Sequence, residues 1–481
     1  MSTIASRGGT SSAHRARAPR GHFLLGVLPQ VRRDPLNFFL RVAQEYGEVV
    51  PIDLGPQRVF LVNDAALIEH VLQTNAANYQ KSKLFKRLAP MLGEGLITSD
   101  GEIWRRQRRT SQPAFGGRAL AAMQSHMVEA TRDLLRRWDA HWVKHSPVDV
   151  SAEMNHLALD IALRSLFGIR LGRDDFGRVY GAVTEFLRIV DRHIWSPLFV
   201  PISVPTPRNI RYRRAVAEIE GVFAKIIARR RREPERDDDL LGFLLREYGS
   251  SSDDERLLRD LVISVLLAAH ETTAASLSWT WYLLSTHPAV AERVIDEITD
   301  NLVGRDPGLD DLARLPYTRA AYEESLRLYP PIWTFSRDAI GDDQLGDTRI
   351  DKGATLMICI YTMHHDPRYW ENPQGFDPTR FLSTAEGSRP RYAYFPFGGG
   401  PRTCIGARFA LLEAMTVLAI IAQAYRLELV PGQRIEPDPM ITLRPRNGLW
   451  MRLRESERCV APTSWSCDRD SSGHSPEFPA P

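Results

Sequence analysis

Apolar residues recur at helical spacing through most of the chain between residues 64 and 325. That 3.6-residue period predicts helices over 65–73, 102–112, 118–141, 150–167, 180–190, 209–232, 254–286 and 288–301. Alternating, strand-like stretches are fewer and fall toward the two ends: "VVPIDL", "RVFLV", "ATLMICIY", "MITLRP" and "LWMRLR". The pattern predicts a mainly α protein of the α+β class, with a helical body and a small β lobe assembled from distant parts of the chain. No internal repeat is evident.

Composition adds bounds. With 481 residues, 43% hydrophobic and 25% charged, the chain can bury a large core. A formal net charge of +3 is too small to argue for nucleic acid, and no basic arm or aromatic-interleaved basic strip occurs. Four cysteines, Cys359, Cys404, Cys459 and Cys467, are too few and too scattered for a disulfide framework. A reducing, cytoplasmic setting is expected. The early apolar run "HFLLGVL" ends at Pro29, far short of the ~20 residues a spanning helix needs, so no membrane anchor is expected.

The residues before Asp34 hold six arginines and no acid, a composition shared by basic tails and organelle-targeting segments. Residues 1–20 are read as a disordered basic tail and 455–481 as a polar, Pro/Ser-rich one. A single domain over 21–454 lies between them. The arginine run 229–232 and the acidic stretch after it read as a solvated helix end.

One stretch stands apart: "FPFGGGPRTCIGARFA", residues 395–410. Its glycines permit tight backbone geometry and close approach of a flat ligand. The following "IGARFALLEAMTVLAIIAQ" starts an amphipathic helix, which sets Cys404 at a helix N-terminus where the dipole favours a thiolate. A nucleophilic cysteine needs a histidine partner and an oxyanion site, and zinc needs clustered ligands. A lone thiolate fits haem iron.

Phe397, Gly398, Gly400, Arg402, Cys404 and Gly406 match FGxGxRxCxG, so the chain resembles the cytochrome P450 family. Three further motifs strengthen the resemblance. "ESLR" places Glu324 and Arg327 three apart, and "FDPTRF" adds Arg380; the resemblance implies a buried charge cluster. "LLAAHETTAAS" resembles the family's oxygen-activating helix, with Glu271 and Thr272 as the acid–alcohol pair and Ala268 as the small residue facing haem. Ala269 stands where the family has glycine, so the helix distortion there should be smaller or displaced. "WRRQRR" gives Trp104 and Arg108, which with Arg337 and Arg402 match positions that bind haem propionates.

The resemblance, covering about residues 21–454, implies a triangular helical prism holding haem b with Cys404 as iron ligand. It implies a monooxygenase that inserts one atom of O2 into a substrate, Thr272 holding bound oxygen and water while Glu271 relays protons. A haem-thiolate peroxygenase or isomerase, or a non-enzymatic haem sensor, are the alternatives. The stretch after Cys404 is too short for a fused reductase, so a ferredoxin, flavodoxin or flavin reductase is expected to pass on NAD(P)H electrons. Arg105, Arg106, Arg109 and Arg408 are a candidate docking patch on an otherwise monomeric protein. Segments 83–97, 194–207, 331–335 and 439–442 are expected to line an apolar pocket suited to fatty acids, terpenoids, steroids or polyketides. Lys81, Lys83, Lys86 and Arg87 could hold a carboxylate, with a surface position as the default for each.

Overall fold

The computed structural model describes residues 18–456 apart from 56, 87–88, 142–145, 195–199, 233–238, 250 and 383–388. Most of both expected tails, Cys459, Cys467, Arg87 and part of 194–207 lie outside the described residues, as does the side chain of Lys86.

The body is helical, as the periodicity predicts. Its centre is the Ser252–Thr286 helix, along which 22 residues are buried. Ser251 caps it by accepting from the Asp254 backbone N–H at 3.2 Å. Asp253, Asp254 and Glu255 in its first turn complement the helix dipole. Against it packs Val150–Phe167, which has the predicted bounds and is buried nearly all round. Asp149 caps that helix at Ser151 and Ala152, and Gly168 ends it at φ +62°. Ser252–Thr286 and Ala407–Ala424 are apolar enough to span a membrane, yet both are mostly buried in the body.

The main sheet gathers remote segments. Its order is Val49–Leu54, Gln57–Val62, Thr355–Cys359, Thr334–Ala339, Tyr79–Lys81, and only the second and third strands pair in parallel. A three-stranded sheet joins Val148–Asp149, Trp450–Glu455 and Tyr425–Leu429. Two short hairpin pairs complete the β structure.

Several boundaries differ from the sequence expectation for identifiable reasons. The helix expected at 65–73 is α-helical only over Ala65–Glu69 and continues as a π turn, His70–Thr74. The π turn presents the Leu72 carbonyl to Gly400. The helix expected at 180–190 runs Arg173–Ile194, because Gly177 and Gly181 mask its start in the sequence pattern. Two strands of the main sheet were not anticipated: Tyr79–Lys81 is too short, and Thr334–Ala339 carries Arg337 and Asp338 on an apolar scaffold. The 229–232 run is not simply a solvated end. Arg230 is mostly buried and makes a two-pronged pair with Asp239 at 2.9 and 2.8 Å.

Candidate active site

The cysteine loop is built by backbone geometry. Gly398 and Gly400 adopt φ +70° and +63°, the left-handed region glycine enters without strain. The Cys404 N–H donates to the Phe397 carbonyl at 2.9 Å and closes the loop. The next helix is Ala407–Ala424 with Gly406 at its cap, so Cys404 precedes the helix rather than starting it.

Cys404 opens onto a cavity of ≈ 310 Å³ inside the body. Burial pushes its thiol above the usual range, while the Gly406 backbone and the Arg108 guanidinium pull it down. The helix starts after Gly406, so the Gly406 N–H and the Arg108 guanidinium are the groups that favour an ionised sulfur here.

Anticipated residues on the cavity wall include Ala268, Thr272, Arg337, Phe397, Gly398, Arg402, Cys404 and Gly406. A second hollow is bounded by Trp104 and Asp100 and shares Arg337 and Arg402 with the first. Arg402 lies over the Trp104 ring, 4.3 Å from its centroid, and pairs with Asp100. Arg108 turns the other way and donates to the Thr403 carbonyl at 2.6 Å, bracing the cysteine loop.

Thr272 Oγ1 donates to the Ala268 carbonyl at 2.7 Å. The surrounding element runs as uninterrupted α-helix through Ala269. Glu271 does not line the cavity. Successive helix residues point about 100° apart, and the Glu271 carboxylate lies buried, 3.3 Å from Arg444 of the Leu443–Pro445 strand.

Glu324, Arg327 and Arg380 form the anticipated buried cluster away from the cavity. Arg327 binds Glu324 through Nε at 2.6 Å and Nη2 at 2.8 Å, and Arg380 Nε stands 3.3 Å from the same carboxylate.

The cavity is mostly apolar, and segments 83–97 and 331–335 contribute through Phe85, Leu96, Ile97, Ile332 and Phe335. Neither 439–442 nor any described residue of 194–207 lines it. Lys81 does, against the expectation of a surface position. Its inward turn was not legible locally, because only pairing with the remote Arg337 strand fixes which way it faces. Asp100 was also missed, since it sits in an unremarkable polar loop.

The wall carrying Lys81, Arg337 and Arg402 is cationic, with Asp100 set among them. Arg402 Nη1 is buried without a hydrogen-bond partner among the described residues. Burial and Arg402 lower Arg337 to about 10. Unused buried donors and surplus positive charge fit the carboxylates of a flat anionic macrocycle, with the Cys404 sulfur available to its metal. The residues present therefore fit haem.

Comparison with known proteins agrees with this chemistry. Residues 17–451 match the family model for Cytochrome P450. Cyclooctat-9-en-7-ol 5-monooxygenase of Streptomyces melanosporofaciens is 36% identical, covering 86% of this chain and 90% of its own. Pentalenene oxygenase of Streptomyces avermitilis is 31% identical over 91% and 96%. Carotene epsilon-monooxygenase, chloroplastic, of Arabidopsis thaliana is 30% identical over 85% and 80%.

Proposed function

The chain belongs to the cytochrome P450 family, and from that premise we propose that it is a haem b monooxygenase that places one oxygen atom from O2 into a terpenoid. The observation that carries the substrate class is an apolar cavity lined by Cys404, in a chain with relatives named for oxidation of cyclooctat-9-en-7-ol, pentalenene and carotene. Fatty acids, steroids and polyketides are the less favoured classes.

Haem, when bound, supplies the oxygen activation that no side chain can perform. The protein's part is placement. Cys404 would ligate the iron, Arg337 and Arg402 would hold the carboxylates, and Trp104 stacks on Arg402 to fix its fork. Phe85, Ile97, Ile332 and Phe335 would orient an apolar substrate and exclude water. The Thr272 hydroxyl, its proton committed to Ala268, presents acceptor lone pairs to the cavity and would hold a proton-bearing partner such as water there. Glu271, tied to Arg444 behind it, would serve as a proton reservoir reached by side-chain motion.

Electrons would come from NAD(P)H through a separate ferredoxin, flavodoxin or flavin reductase. Of the four candidate arginines, Arg105 is engaged by Glu102 at 2.7 Å and Arg106 by Glu247 at 2.9 Å. Arg109 and Arg408, both exposed, are the better candidates for an acidic donor.

The test is a spectral titration of the haem-loaded protein with sesquiterpenes, diterpenes, fatty acids, steroids and macrolides, followed by turnover with a donor system and O2. Terpenoids should give the tightest spin shift and a product carrying one added oxygen. Tighter binding and turnover of another class would overturn the terpenoid assignment. Turnover with hydrogen peroxide alone, and none with donor and O2, would replace monooxygenase by peroxygenase.

A further inference from the structure

Lys81 stands directly opposite Arg337 in the antiparallel pairing of Tyr79–Lys81 with Thr334–Ala339. Opposed residues leave a sheet on the same face, and like charges so placed repel. Both line the main cavity, and Arg402 joins them. Asp100 is the carboxylate set among the three: it pairs with Arg402 and accepts from the Lys81 backbone N–H at 3.2 Å. One carboxylate leaves a positive surplus, and burial makes that surplus expensive. Its effect shows at the ammonium, which burial first, and Arg402 and Arg337 next, draw down to about 7.

The ammonium also reaches into the opposite wall. Lys81 Nζ donates to the Leu96 carbonyl at 2.7 Å, and Leu96 and Ile97 are themselves cavity lining. The loop carrying them is also held by Gln107, whose Nε2 donates to the Glu94 carbonyl at 2.6 Å, and by the long central helix. Glu94 N–H donates to Asp260 at 2.9 Å, and Ile97 N–H to Ser264 Oγ at 3.1 Å. Lys81 is thus the side chain that ties this loop to the cationic wall.

Resting on the assignment of haem to this cavity, we propose that Lys81 is a positioning residue that clamps a haem carboxylate beside Arg337 and Arg402 while gripping the Leu96 carbonyl. Cofactor binding then fixes the loop that walls the substrate space. The ammonium has three N–H donors, enough to hold both partners at once.

The test uses the full-length, haem-loaded protein. Lys81→Met keeps the aliphatic stem and removes the charge; Lys81→Arg restores a cation; Lys83→Met, an exposed lysine two residues on, is the control. Two quantities are read: the rate of haem transfer to apomyoglobin, and amide hydrogen exchange over residues 94–98 with and without haem. Loss of a charge-assisted contact should speed haem loss in Lys81→Met roughly tenfold or more. Exchange at 94–98 should rise to that of the haem-free protein. Lys81→Arg should recover slow loss, and Lys83→Met should match the parent.

Unchanged haem loss in Lys81→Met would overturn the clamp, and faster loss with unchanged exchange at 94–98 would overturn the coupling. Should Lys81→Met fail to load haem, Lys81→Arg decides: loading no better than Lys81→Gln overturns the proposal, and recovered loading supports it. The reduced carbon monoxide complex of the parent is recorded in parallel. A spectrum without thiolate character there sinks the Cys404 assignment, whereas a thiolate spectrum with unaltered Lys81→Met sinks only the role of Lys81.

Discussion

Arg327 grips Glu324 through two parallel hydrogen bonds where neither side chain has any solvent exposure. The guanidinium is used in full: Nη1 donates to the carbonyls of His364 and Pro373 at 2.8 and 2.7 Å, and Nη2 also to that of Gly375 at 2.9 Å. Glu324 in turn accepts from the Asp377 backbone at 3.0 Å. Arg327→Met would leave a buried carboxylate facing only Arg380 and would orphan three carbonyls. The expected loss is about 3–5 kcal/mol, read as a shift in urea midpoint on the haem-loaded protein. A loss under about 1 kcal/mol, typical of a surface pair, would mean that water reaches the cluster.

Gly398 and Gly400 both adopt positive φ, yet their surroundings differ. A Cβ on Gly400 would overlap the Leu72 carbonyl of the π turn, whereas one on Gly398 would meet nothing within 4 Å. Within the protein itself, Gly398→Ala should therefore cost only the left-handed conformation, about 1–2 kcal/mol. Gly400→Ala must also push two backbone segments apart, and should lose more stability. Urea midpoints of the haem-free proteins separate the two; equal losses would show that the π turn yields freely.

His270 is buried on the central helix, facing the edge of the Tyr180 ring, with His156 near by. Burial lowers its pKa from 6.5 to about 4. In this window the unfolded chain binds a proton that the folded protein refuses, so stability falls as pH drops from about 6.5 toward 4 and is level above. The full effect is on the order of 3 kcal/mol. His270→Leu should flatten that part of the stability-versus-pH curve, measured by denaturant midpoints from pH 8 to 4.5. An unchanged slope would place the acid sensitivity on other groups, such as buried His364 and His365.

How much was legible in the sequence depended on how local each cause is. The cysteine loop, the Glu324–Arg327 pair and the helix bounds around 150–167 follow from spacing along one segment, and the structure has them where spacing puts them. Lys81 was assigned to the surface because a lysine among lysines reads as solvated; only its register opposite Arg337 turns it inward. Glu271 was expected to relay protons beside Thr272; its pairing with Arg444, far along the chain, could not be read from spacing within the helix. The thiol was expected to be favoured as an anion by a helix N-terminus; the Arg108 guanidinium, which also favours that form, comes from a remote segment that the loop does not announce.

The Thr272 side chain gives the sharpest test of the distal chemistry. Its only proton is spent on the Ala268 carbonyl at 2.7 Å, so what it can offer the cavity is acceptance. Thr272→Val keeps the branched shape and removes both functions; Thr272→Ser keeps the hydroxyl and drops a methyl. If the hydroxyl holds a proton donor in place, Thr272→Val should consume reducing equivalents at near the parental rate while yielding several-fold less product, since one such hydrogen bond is worth about 1 kcal/mol. Thr272→Ser should stay coupled. The ratio of product to NAD(P)H oxidised, together with hydrogen peroxide released, measures this. Equal coupling in all three proteins would confine Thr272 to packing and shift proton handling to Glu271, whose Glu271→Gln variant would then have to slow turnover without raising peroxide.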